Sequence, residues 1–126
     1  MLYLLSLNLF YVGRLTDDAR HLLAAQSLLQ GRYVDLSQPE EPPLLNQLPG
    51  YPLLLLPVAH SPRAAQVLHI ILLLAACAVL LRLFQQEGGA GSWAVALTAL
   101  SPLALVSATT VMTEAPYLLF TASSFL

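Results

Sequence analysis

Two long stretches without a charged residue constrain this chain more than any other feature. Residues 64–81, AAQVLHIILLLAACAVLL, lie between Arg63 and Arg82, and residues 88–113 lie between Glu87 and Glu114. A helix needs about 20 mostly apolar residues to cross about 30 Å of hydrocarbon. The first stretch meets that with a little flank, giving an expected spanning helix over 64–83. WAVALTALSPLALVSATTVM, residues 93–112, meets it as well. Pro102 would break a soluble helix, but neighbouring helices in a membrane can satisfy the carbonyl it frees. The joining segment QQEGGAGS, 85–92, reads as a tight glycine-rich turn, so the two helices are expected to run antiparallel.

Composition agrees with a lipid environment. Charged residues make up 10% of the 126 residues and apolar ones 57%. An ordinary soluble domain carries roughly 25% charged residues, so this chain lacks the polar surface to cover itself in water. The net charge is −2, lysine is absent and the five arginines are scattered, which excludes a nucleic-acid footprint. Cys77 stands alone in an apolar run, as a small apolar residue would. No Cys/His spacing suggests zinc; His21 with the acids could in principle join a divalent-metal site, which the sequence does not itself indicate, and no cofactor is identified. Phosphate-loop, dinucleotide and serine-hydrolase signatures are missing.

The remaining segments follow from the charges. Residues 1–13 and 115–126 are uncharged but too short to span alone, and read as partial first and fourth spanning helices. The chain is thus expected to be a piece of a larger protein. Residues 14–63 form a loop holding most of the charge. Within it, Thr16 or Asp17 can cap a helix whose first turn is acidic, as the dipole favours. Leu22, Leu23, Ala25, Leu28 and Leu29 give that helix an apolar side, and Gly31 is its expected stop. Such an amphipathic helix suits a membrane surface. LPGYPLLLLPVA, 48–59, is apolar, short and proline-rich, and predicts a second surface or re-entrant helix. The expected fold class is therefore all-α: polytopic membrane helices with two amphipathic juxtamembrane helices in the first loop, between the first and second spans.

Counting spans returns Glu114 to the side of Asp17. The arginine count works against placing that side outside, since the long loop holds four arginines and the turn after the first full span one.

Three positions could carry chemistry. Asp17 and Asp18 open the first surface helix, where they act as capping acids or as a base beside the bilayer. Asp17, Arg20 and His21 share a helical face at i, i+3 and i+4, and a cation there could hold a phosphate. Glu114 is either a first-turn acid or a second carboxylate of the same site. Gln66 and His69, inside the spanning stretch, are expected to hydrogen-bond between helices.

In order and spacing, three stretches resemble the GT-C superfamily of polyprenyl-phosphate-sugar glycosyltransferases, in its protein-mannosyltransferase-like and aminoarabinose-transferase-like branch. They are TDDARHLLAAQSLLQGRYVDL (16–36), LPGYPLLLLPVA (48–59) and GGAGSWAVALTALSPLALVSATTVMTEAPYLLF (88–120). The resemblance implies that Asp17 is the first-loop carboxylate that acts as base or orients the acceptor. It implies that Asp18 is the acidic neighbour and Glu114 the second external acid; Arg20 and His21 are expected to bind substrate from the helical face they share with Asp17. His21 departs from the pattern, in which Tyr is common. The implied partners are a polyprenyl-phosphate-linked sugar and the bilayer. The implied location is the cell (inner) membrane, multi-pass, with this loop extracytoplasmic against the arginine count, and the piece alone is expected to be inactive. The competing expectation is a non-catalytic polytopic membrane protein, such as a transporter segment or an assembly subunit.

Overall fold

A computed structural model describes residues 12, 16–45, 47–86, 91–111 and 113–125. Of the expected partial helix at 1–13 all but residue 12 lie outside the described residues, as do residues 87–90 of the turn. What is described is all-α, with one isolated antiparallel bridge between Val34 and Pro43.

The first helix, α1, spans Thr16–Leu29. Thr16 is its first helical residue, so Asp17 and Asp18 lie inside the first turn rather than ahead of it, still at the positive end of the dipole. Its other end is a Schellman stop. Gly31 adopts φ 72, its N–H donates to the Leu28 carbonyl at 2.9 Å, and the Arg32 N–H donates to Ser27 at 3.0 Å. The irregular path that follows is tied back through Asp35. That carboxylate accepts from the Ser37 backbone at 3.0 Å, from Ser37 Oγ at 2.5 Å and from Gln38 at 3.2 Å, and it meets Arg20 at 3.5 Å. The Ser37 hydrogen bonds hold the Asp35 carboxyl below the usual carboxylate range.

The proline-led stretch forms a short helix, α2, over Gly50–Leu55, and a 3-10 turn over Leu56–Val58. Prolines at 49, 52 and 57 limit its length. The apolar side of α1 packs here: Leu22 and Ala25 cluster with Leu55, Ala59, Ala65 and Val111. Gln26 adds a hydrogen bond to the Ala59 carbonyl at 2.8 Å.

Helix α3, Pro62–Gln86, is the one described helix long and apolar enough by itself to cross a membrane. At 25 residues it is about 37 Å long at 1.5 Å per residue. Only 22% of its most apolar window is buried, and Val67, Ile71 and Leu74 face outward. A soluble core helix would cover those side chains.

The return differs from the expected continuous helix over 93–112. It consists of α4, Ser92–Ala99, and α5, Pro102–Thr109, bent by 61°. Pro102 removes a backbone donor and takes the first position of α5, while Ser101 Oγ caps that helix by accepting from the Ala104 N–H at 3.1 Å. With its own cap, the second half starts as a new helix. The broken pair nevertheless returns along α3. Ala94, Val95, Thr98 and Ala99 share a cavity of about 300 Å³ with Leu73, Cys77, Leu80 and Phe84 of α3, towards its C-terminal end. The far end of α5 reaches the start of α3, where the buried Gln66 amide donates to the Thr109 carbonyl at 2.9 Å.

Helix α6, Glu114–Ser123, then runs back down the same side of α3. Ala115 clusters with Ile70 and Leu73, and Leu118 packs beside Cys77. Glu114 thus stands level with the first turns of α3, under α1 and α2. Leu97, Leu103, Tyr117 and Phe120, on the outside of these helices, are all exposed.

Candidate functional site

The polar residues singled out by sequence gather where α1 and α2 cover the start of α3. Asp17 is exposed, whereas its neighbour Asp18 is fully enclosed and accepts from the Ala19 N–H at 2.7 Å. One turn on, His21 is half-buried, and Tyr51 of α2 meets it edge to face with ring centroids 4.7 Å apart. Glu114, exposed at the start of α6, is close enough for its charge to act on both His21 and Tyr51. The fold therefore assembles Asp17, Asp18, His21 and Glu114 from two helices separated by most of the sequence.

Arg20 is placed differently. It leans to the Asp35 side, meeting that carboxylate at 3.5 Å and lining a small polar pocket of about 210 Å³ with Gln38 and Gln47. The shared face of Arg20 and His21 is thus divided between two partners, although the arginine charge still reaches the imidazole.

Two residues join the cluster that spacing alone did not nominate as site residues. The Tyr51 hydroxyl lies 3.1 Å from Nε2 of His69, a fully buried residue of α3. Their rings are also edge to face, with centroids 5.8 Å apart. A histidine inside a spanning stretch is a signal in itself, because an ionisable group there is costly to keep. Tyr51 gave no such signal; it sits in an apolar run whose only visible pattern is its prolines.

The electrostatics are those of a half-dry acidic site. Burial lowers the His21 pKa below its ordinary value, against the opposing pull of Asp17 and Glu114, so the imidazole is held neutral. Its Nδ1 is enclosed and has no hydrogen-bond partner among the described residues. Burial, with the charges of Glu114 and Asp18, raises the Tyr51 pKa, so the phenol keeps its proton. Among the described residues, no group of three or more His, Cys, Asp or Glu side chains is disposed to hold a metal.

An apolar groove of about 530 Å³ opens beside this cluster, between α2 and α6. Tyr51, Leu53 and Leu54 form one wall, and Pro116, Tyr117 and Phe120 the other. Tyr51 belongs to both the groove and the cluster. An exposed carboxylate, a neutral imidazole and a protonated phenol at the mouth of an apolar channel can bind a hydroxyl and remove its proton. Comparison with protein-family models, with curated proteins and with solved structures finds no match to this chain.

Proposed function

We propose that this chain contributes the acidic wall of a polytopic membrane glycosyltransferase that moves a sugar from a polyprenyl-phosphate carrier to an acceptor hydroxyl. One observation carries this reading: an acid, imidazole and phenol cluster at the mouth of a groove lined by apolar side chains. An amphiphile fits that pairing, with its chain in the groove and its head at the cluster. The exposed apolar flanks of α3 to α6 support membrane residence, and the length of α3 traversed by the α4–α5 pair supports a second, broken crossing. On this reading the cluster faces the extracytoplasmic side of the inner membrane.

Asp17 is the base, because of the two adjacent aspartates it is the one a ligand can reach. It takes the acceptor's hydroxyl proton as that oxygen bonds to the anomeric carbon, and the carbon–oxygen bond to the carrier breaks with its electron pair leaving on the phosphate. Glu114 and His21 bind the acceptor alongside. The leaving phosphate needs positive charge; Arg20 supplies some, and the rest comes from parts of the enzyme outside this cluster, so the described site alone does not turn over.

The test is Asp17→Asn in the protein assembled in its membrane, assayed for sugar transfer from polyprenyl-phosphate donors. Transfer should fall at least a hundredfold, the scale of a lost general base, with insertion unchanged. Full transfer by the variant would remove Asp17 as the base, and absence of transfer by the native protein would leave the fold as that of a non-catalytic membrane protein.

A further inference from the structure

Tyr51 is anchored at its hydroxyl, while its half-buried ring forms part of the groove wall. Its hydroxyl is held by His69, which is fully buried in α3 and out of reach of any ligand. Its ring meanwhile lines the apolar groove. A phenol has one proton and two lone pairs, and among the described residues His69 is the hydroxyl's one hydrogen-bond partner. Capacity therefore remains for a second partner.

The surroundings select what that partner is. Glu114 and Asp18 place negative charge near the phenol, which makes it a poor partner for an anionic group. A neutral phenol that can both donate and accept suits a neutral group that can do the same, which is a hydroxyl. We propose that Tyr51, oriented by His69, recognises a hydroxyl on the uncharged part of the head group of an amphiphile whose chain lies along Leu54, Pro116 and Phe120. This rests on the reading of the groove as an amphiphile site and adds to it the residue that tells a hydroxylated head from other heads.

The test uses octyl β-glucoside as probe and octylphosphocholine, with the same chain and no hydroxyl, as comparison. Each is titrated into the full chain in lipid nanodiscs with tyrosine and phenylalanine rings isotopically labelled for NMR. Octyl glucoside should shift the Tyr51 resonances saturably and bind more tightly than octylphosphocholine. Tyr51→Phe keeps the ring and should weaken octyl glucoside about three- to tenfold, the scale of one net hydrogen bond, with little effect on octylphosphocholine. Tyr33→Phe, which removes a hydroxyl bonded to the Gln47 carbonyl, should leave both affinities unchanged. Equal binding of octyl glucoside by wild type and Tyr51→Phe, or equal affinity of wild type for both probes, overturns the role of Tyr51. If in that case both probes still shift Phe120, the groove remains an amphiphile site and the broader reading stands. If neither probe shifts any groove residue, both readings fall.

Discussion

The side-chain amide of Gln66 donates to the Thr109 carbonyl at 2.9 Å, in a place where neither group meets solvent. This bond joins the start of α3 to the end of α5 and closes the broken return. Gln66→Leu removes the donor while keeping apolar bulk, and leaves a buried carbonyl short of a partner. The expected cost is about 1–3 kcal/mol, measurable as a shift in the unfolding midpoint of the reconstituted protein.

Acid should destabilise the fold through His21. The unfolded histidine has the ordinary pKa of 6.5, and burial lowers it in the folded chain. As pH falls through 6.5, the unfolded chain binds a proton that the folded one resists, so stability drops as the solution is acidified. Asp17, Asp18 and Glu114 oppose the shift and Arg20 reinforces it. The melting temperature should fall between pH 7.5 and pH 5.5, and His21→Gln should flatten that dependence.

The bend between α4 and α5 has a local cause that can be removed. Replacing Ser101 and Pro102 with alanine deletes the cap and restores the missing N–H. Spin labels at Ala94 and Ser107 would then separate towards about 20 Å, the distance along one straight helix. In the native chain the 61° bend should hold them measurably closer. An unchanged distance in the double variant would assign the bend to packing against α3 instead.

Trp93 is the chain's one tryptophan and is exposed at the start of α4. With α3 across a bilayer, Trp93 lies near the interface at the far end, where tryptophan is favoured. Lipids brominated near the head group should quench its fluorescence more than lipids brominated at the chain end. Quenching by aqueous iodide alone would place the chain outside the membrane.

Much of the architecture was legible because it follows from short-range rules. The bounds of α1 were set by acids at one end and Gly31 at the other, and the uncharged run between Arg63 and Arg82 marked α3, which extends past both arginines and past the expected 64–83 to Pro62 and Gln86. The break at Leu100–Ser101 was not legible. Pro102 by itself is compatible with a kinked helix, and only the Ser101 cap turns the kink into a new start. The candidate site was half legible. Asp17, Asp18 and His21 neighbour one another in sequence, and the span count placed Glu114 on their side. Tyr51 was hidden, since its partnership with His69 depends on how α2 lies over α3, which no local spacing encodes.

His69 lies seven residues inside α3, so the floor of the cluster is about 10 Å along that helix from its first residue. Gln66, one turn nearer the start, fastens the return helices to the same rod. Whatever tilts that rod tilts the floor with it. A thinner bilayer inclines a spanning helix of this length more strongly, and Tyr51 is bonded directly to His69 of that helix. On the proposed membrane reading, acyl-chain length in the surrounding lipid thereby becomes a variable of the site itself.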